Sequence, residues 1–164
     1  MLTRETVYSK DASNKKIMVE RVFDAPLEMV WQAWTQRDLL DLWWAPKPWK
    51  TNTQSMDFRD GGRWLYYMEG PDGSRHYCKV DYKTIVPNKS FSGLDGFCDE
   101  NGQTNTDLPG MDWNVAFNAE GDITRVAVEI TFASEADLEK IVEMGFKEGF
   151  AMAHTNLDEL LAKK

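Results

Sequence analysis

The feature that most constrains the fold is a long amphipathic segment near the end of the chain, residues 134–161. It begins with Ser134-Glu135-Ala136-Asp137, a pattern that resembles a helix N-terminal capping box. One helix over this segment has on the order of 28 residues and a length of roughly 42 Å. Because the preceding chain reads as strands and turns, the helix must lie across a sheet to bury its apolar face.

The apolar face of this helix carries two glycines and an asparagine. Each glycine in a helix interior costs about 1 kcal/mol relative to alanine. Either another backbone approaches closely there, or space is left open beneath the helix. A polar residue on a buried face also needs a hydrogen-bond partner, from the protein, water or a ligand. At the centre of the face lie Val142, Phe146, Ala153, Leu157 and Leu160, with Gly145, Gly149 and Asn156 among them.

The preceding chain predicts one strand, two short helices and then a run of strands. Residues 17–23 alternate apolar and polar side chains, and Pro26 follows at a position where helices begin. Two short helical stretches end before Pro46. From residue 50 onward, strands alternate with turn signals such as Pro71-Asp72-Gly73 and with a polar loop over 99–110. This order predicts an α+β fold with a curved antiparallel sheet of about six to seven strands, two short helices and one long C-terminal helix.

Length and charge narrow the function classes. The 164 residues fit one domain, which we place at 16–164 after a polar arm or edge strand over 1–15. The net charge of −8, without a basic cluster, argues against a nucleic-acid partner. No apolar run reaches membrane-spanning length and the first residues are polar, so we expect a cytoplasmic protein without membrane insertion.

The sequence assigns no catalytic residue, metal or cofactor. Its two cysteines and two histidines lack the paired spacing of a metal site, and the common nucleophile, phosphate-loop and dinucleotide motifs are missing. If the chain is an enzyme, the best candidate cluster joins Tyr66, His154 and Asn156. His154, at the rim of the helix's apolar face, would turn inward to act as the base. Further titratable candidates, without a clear pairing, are His76, Tyr82 and Asp112.

Five short patterns, in order along the chain, carry a resemblance to a known family. They are Arg21-Val22-Phe23-Asp24-Ala25-Pro26 with Val30-Trp31; Trp43-Trp44-Ala45-Pro46; Asp57-Phe58-Arg59-Asp60-Gly61-Gly62-Arg63-Trp64; Thr124-Arg125; and Gly149-Phe150 before Leu157. The chain resembles the SRPBCC (START-like, helix-grip) superfamily, within it the branch of the activator of heat-shock protein 90 ATPase homologues of the C-terminal-domain type. Ala45 and Phe150 depart from the Gly and Trp usual at these positions.

The resemblance implies a hydrophobic ligand cavity between the sheet and the long helix, within the roughly 300–1,000 Å³ of typical ligand sites. We therefore expect binding of an apolar small molecule. The alternatives are a cyclase- or hydrolase-like enzyme using the same cavity, or a chaperone ATPase-interacting module. No chaperone partner is expected, and a homodimer is left open. The predicted cavity lining is Trp31, Trp34, Trp43, Trp44, Trp64, Tyr66, Met68, Tyr82, Trp113, Val115, Phe146, Gly149, Met152, Ala153 and Asn156.

Overall fold

One antiparallel sheet and four helices make up residues 5–163, the part of the chain that the computed structural model describes. The α+β class is therefore confirmed. In chain order the elements are β1 (Val7–Asp11), β2 (Lys16–Phe23), α1 (Leu27–Thr35), α2 (Arg37–Trp43), β3 (Lys50–Met56), β4 (Arg63–Glu69), β5 (Arg75–Val86), β6 (Ser90–Phe97), β7 (Met111–Glu120), β8 (Ile123–Thr131), α3 (Glu135–Glu143) and α4 (Phe146–Ala162).

The sheet has eight strands in the order β1-β2-β8-β7-β6-β5-β4-β3, and every neighbouring pair is antiparallel. The prediction of six to seven strands was too low. The additional strand is β1, an edge strand within the segment predicted as a polar arm or edge strand. In β1, Val7 is exposed and Ser9, Lys10 and Asp11 are polar, so the strand lacks a clear apolar alternation. The sequence pattern was therefore too weak to identify this strand. Residues 1–4 of that segment lie outside the described part.

The register aligns rows of apolar side chains on one face of the sheet. Trp113 pairs with Ile130, which pairs on its other side with Ile17. The neighbouring row contains Val115 and Val128, and the side chains of both rows are buried. Because successive strand residues point to opposite faces, the alternation places the core on this inner face, against the helices.

The C-terminal segment is two helices rather than the one helix that we predicted. Helix α3 ends at Glu143, and Gly145 has a left-handed backbone with φ of 89° before α4 begins. Glycine adopts this conformation without the steric cost that a side chain would add. The predicted N-terminal cap is confirmed, since the Ser134 side chain accepts a hydrogen bond from the Asp137 N–H at 3.1 Å.

Asn156 fixes α4 to the segment that follows α2. Its Nδ2 donates to the carbonyl of Ala45 at 2.9 Å and to that of Trp43 at 3.4 Å. The polar residue on the buried helix face therefore has a backbone partner. Gly149 lies nearby, and a Cβ placed there would lie 3.7 Å from Cγ of Pro46, an ordinary contact. No backbone approaches Gly149 closely, so the close-packing alternative does not describe this glycine, and the space beside it is bounded by the Pro46 side chain.

Candidate functional site

An interior cavity of about 20 Å³ lies between the inner face of strands β4 to β7 and helices α1 and α2. This volume is enough for one water molecule. The predicted range of hundreds of cubic ångströms is wrong for this state of the protein, and so is the predicted position beneath the glycines of the C-terminal helix. The cavity is bordered by Trp34, Leu40, Trp44, Trp64, Val80, Tyr82, Phe91, Gly93, Asp95 and Trp113.

Aromatic side chains fill the space in which we predicted a larger cavity. The Trp44 ring lies 5.7 Å from that of Trp34, 5.6 Å from Trp64 and 5.9 Å from Trp113, measured between ring centroids. These are the usual separations of packed aromatic pairs. Trp44 is half-buried and directly follows α2, whereas Trp34, Trp64 and Trp113 are buried. The tryptophan-rich composition therefore produces a packed aromatic wall around a small space.

The predicted lining residues have different positions relative to this cavity. Trp34, Trp44, Trp64, Tyr82 and Trp113 border it. The others do not: Trp43, Tyr66, Val115, Ala153 and Asn156 are buried elsewhere, and Trp31, Met68, Phe146 and Gly149 are half-buried.

Met152 lies on the solvent side of α4, with 42% of its surface exposed, so its assignment to the cavity is wrong. The helical period explains its position. At 100° per residue, Met152 shares a face with Thr155 and Glu159, which are both exposed.

A buried carboxyl group borders the cavity and was missed in the sequence. Asp95 lies on β6, is only 8% exposed and pairs with Val80 of β5. Burial raises the pKa of its carboxyl from 3.8 to about 7, against the opposing effects of the Gly96 N–H and the Trp113 indole. The available sequence signal was strand alternation, which places Phe91, Gly93 and Asp95 on one face.

The titratable groups around Asp95 are neutral at neutral pH. Burial raises the pKa of the Tyr66 and Tyr82 hydroxyls and of the Cys78 thiol, and the Asp95 charge adds to each rise. The Tyr66 hydroxyl accepts a hydrogen bond of 3.0 Å from the Trp44 indole. No cation contributes to the pKa of Asp95 in the described part of the chain. Asp95 is thus the group of this cluster that titrates near pH 7.

His154 is buried in the core, with 1% of its surface exposed, and the prediction that it lies at the rim is wrong. Its Nδ1 lies 2.8 Å from Oγ1 of Thr6, and its ring packs 4.2 Å from that of Phe150 and 5.7 Å from that of Phe23. Burial, with a smaller contribution from the positive charge of Arg21, lowers the pKa of the imidazole to about 3. The ring is therefore neutral at physiological pH.

The predicted cluster of Tyr66, His154 and Asn156 does not form a hydrogen-bonded unit. Each residue has its own partner: the Trp44 indole, the Thr6 hydroxyl and the backbone after α2, respectively. Tyr82 borders the cavity, whereas two further sequence candidates for acid–base chemistry lie apart from it. His76 is exposed and packs on the Trp49 ring, and Asp112 pairs with Lys83 at 2.9 Å.

The described residues were also compared with what a metal site, a disulfide or a membrane-spanning helix requires. Within residues 5–163, no three His, Cys, Asp or Glu side chains come together as they would around a metal ion. Cys78 is buried and Cys98 half-buried, and neither forms a disulfide. The helices of this part of the chain are too short or too polar to cross a membrane.

The chain is similar in sequence and in structure to known proteins. The family model of the activator of Hsp90 ATPase homolog 1-like protein matches residues 24–162. A crystal structure of protein Ms6760 from Mycobacterium smegmatis is 32% identical, with a TM-score of 0.88 and 96% of each chain covered. A solution structure of an Arthrobacter aurescens protein is 30% identical, with a TM-score of 0.91 and coverage of 96% of this chain and 92% of that one. Among curated proteins, none matches the chain.

Proposed function

The chain belongs to the family of activator of Hsp90 ATPase homolog 1-like proteins, and from this premise and the cavity we propose that it binds a small, largely apolar molecule. The binding site is the cavity between strands β4 to β7 and helices α1 and α2. Concave sites of this kind, with apolar walls and few polar groups, are typical of small-molecule binding.

One observation carries the proposal: the carboxyl of Asp95 borders a largely apolar cavity and has no ion-pair partner in the described part of the chain. A buried carboxylate without a counter-charge destabilises a fold, and an apolar residue at this position would avoid that cost. The indole N–H group of Trp34, another residue of the wall, also has no hydrogen-bond partner among the described residues. Buried polar groups are nearly always satisfied, so these groups favour a bound molecule.

A ligand larger than water needs additional space, and the Trp44 side chain is the wall that we propose to move. It is half-buried and is followed by Ala45 and Pro46, outside any helix or strand. Its indole is held by a hydrogen bond to the Tyr66 hydroxyl. Rotation of Trp44 toward solvent would join the cavity to the outside, and the ligand would stabilise this otherwise minor arrangement.

Titration with n-propylbenzene, followed by the indole N–H signals in an NMR spectrum, tests the proposal. We expect the signals of Trp34, Trp44, Trp64 and Trp113 to shift. The signal of Trp49, which packs on Gly70 and His76 away from the cavity, should stay in place. Unchanged signals of the four wall residues at saturating hydrocarbon would refute binding at this site.

A cavity-filling variant provides the matched control. Val80→Ile adds one methylene to the wall of a cavity that holds only about 20 Å³, so binding should weaken. Val86→Ile makes the same change on an exposed residue of the same strand, where binding should be unaffected. Equal affinity in both variants would place the bound molecule elsewhere.

The other functions raised by the sequence lack comparable support. The predicted acid–base cluster is not formed, and Asp95, whose pKa lies at about 7, has no second group titrating near pH 7 among the cavity residues Tyr66, Cys78 and Tyr82. The family's name refers to Hsp90 ATPase activation. The cavity supports small-molecule binding and not that activity.

A further inference from the structure

We propose that the ligand of this cavity carries a primary ammonium group on an apolar or aromatic body, with the Asp95 carboxylate as its counterion. This inference rests on the proposed small-molecule function and specifies the chemical class of the ligand. It is carried by the position of the carboxyl, the surrounding rings and the volume of the cavity.

A second buried charge on the sheet shows what Asp95 lacks. Arg21 is 4% exposed and lies in a bidentate ion pair with Asp158 of α4, with a further hydrogen bond of 2.7 Å to the Val22 carbonyl. Asp95 is buried to a similar degree, yet within residues 5–163 no lysine, arginine or charged histidine contacts it. A ligand cation would supply the missing counter-charge in a site of low dielectric, where the attraction is strong.

The aromatic walls favour a cation over a neutral donor. Trp34, Trp44, Trp64 and Trp113 border the same small space as Asp95. Aromatic rings attract cations through their quadrupole, and tryptophan does so most strongly. A hydroxyl group could also donate a hydrogen bond to Asp95, but it would gain little from the rings.

The volume of the cavity selects the head group. An ammonium group is close in size to a water molecule, and the cavity of about 20 Å³ holds one water. A trimethylammonium head would not fit without moving several walls. A primary ammonium fits the existing space, and only the apolar body of the ligand requires Trp44 to move.

The inference also predicts the pH dependence of binding. The ammonium binds the ionised form of Asp95, whose pKa lies at about 7 in the free protein. Tyr66, Cys78, Tyr82 and Cys98, the titratable groups that interact with Asp95, have raised pKa values and stay neutral in this range. Affinity should therefore be nearly constant between about pH 8 and 9, below the range in which a primary ammonium loses its proton, and fall below pH 7 toward about tenfold per pH unit, with proton release on binding near pH 7.

Three probes of nearly the same shape test the inference: n-propylbenzene, 2-phenylethanol and 2-phenylethylammonium. They differ only in a terminal methyl, hydroxyl or ammonium group. At pH 8 we expect the ammonium to bind about tenfold or more tightly than the alcohol, measured by calorimetry and by the indole N–H signals. Calorimetry at pH 7 in buffers of different ionisation enthalpy should detect the released proton.

Asp95→Asn removes the charge with little change in shape, so the three affinities should converge to within about threefold. Asp122→Asn, the same change on an exposed turn residue, should keep the full preference for the ammonium. Binding of the alcohol or hydrocarbon as tightly as the ammonium would overturn the inference while leaving the proposed function intact. Binding of none of the three probes would refute the proposed function and the inference with it. Folding of each variant is checked by its NMR spectrum.

Discussion

Asp95→Asn should raise the free energy of unfolding relative to that of the unchanged chain, and this gain should be larger at pH 8 than at pH 5. The side chain is 8% exposed, and burial raises the pKa of its carboxyl from 3.8 to about 7. Asparagine has nearly the same shape and no charge. The variant therefore removes the cost of ionising this group in the core and leaves the packing largely unchanged.

The sign and size of the effect follow from proton binding. Between pH 3.8 and about 7 the folded state holds the Asp95 proton and the unfolded state has lost it. Stability from this group is therefore complete below pH 3.8 and is lost as the pH rises to 7. Each pH unit in this window changes the free energy of unfolding by about 1.4 kcal/mol, which gives about 4 kcal/mol over the whole window.

His154 has the opposite dependence, so the two effects offset each other in the unchanged protein. The pKa of its imidazole is lowered from 6.5 to about 3, and its stability contribution is complete above pH 6.5 and lost as the pH falls. From about pH 4 to 6.5 the folded state holds the proton of Asp95 and the unfolded state that of His154. These two groups together then make stability nearly independent of pH in this window.

Urea denaturation at pH 5, 6, 7 and 8, followed by tryptophan fluorescence, measures the effect. The stability difference between Asp95→Asn and the unchanged protein should grow by about 2–3 kcal/mol from pH 5 to pH 8. Asp122→Asn, on an exposed turn residue, should show a difference that does not change with pH. If the stability difference between Asp95→Asn and the unchanged protein stays constant over this range, burial does not raise the pKa of this carboxyl, and the reasoning is refuted.

Three further predictions concern the C-terminal helices, and urea denaturation at pH 7 checks each of them. Gly149→Ala should raise the free energy of unfolding by about 0.5–1 kcal/mol, since the added Cβ meets only an ordinary contact. Gly145→Ala should lower it by about 1 kcal/mol or more, because the backbone there is left-handed. Equal effects of the two variants would contradict the helix break at Gly145. Asp158→Ala should cost about 3 kcal/mol because Arg21 stays buried without its carboxylate, and a loss below 1 kcal/mol would argue against the ion pair. Asn156→Leu should cost about 2 kcal/mol by leaving two buried carbonyls without a donor, so an unchanged midpoint would contradict these hydrogen bonds.

The sequence was sufficient for the class of fold because the signals that define it are local. Apolar alternation located strands β2 to β8, and Ser134 marked the start of the C-terminal helical segment. The break at Gly145 was not predictable from the apolar period, because residues on both sides of it are apolar at helical spacing. A glycine in such a segment is compatible with a helix interior or with a left-handed turn, and only the surrounding packing selects between them.

The candidate site was predicted less well because it depends on contacts between distant segments. Aromatic content identified five residues of the wall, among them Trp34 and Trp113, but not whether their rings leave an open space or fill it. Asp95 lies between Leu94 and Gly96, in a stretch whose glycines resemble a turn, and its burial arises from the neighbouring strands and α2. Sequence alternation could place it on the inner face but could not show that no cation accompanies it.

The stability that Asp95 costs above pH 7 raises the question of why this carboxyl persists in the core. A loss of about 4 kcal/mol is a large part of the 5–15 kcal/mol by which domains are usually stable. Packing alone gives no reason to keep Asp95, since Gly93 and Val80 beside it show that small and apolar residues fit this part of the sheet. A bound ammonium would pair with the carboxylate and so raise the free energy of unfolding. This stabilisation would be strongest above pH 7, where the carboxyl is ionised. The pH range in which Asp95 destabilises the free protein is thus the range in which it would hold a cationic ligand most tightly.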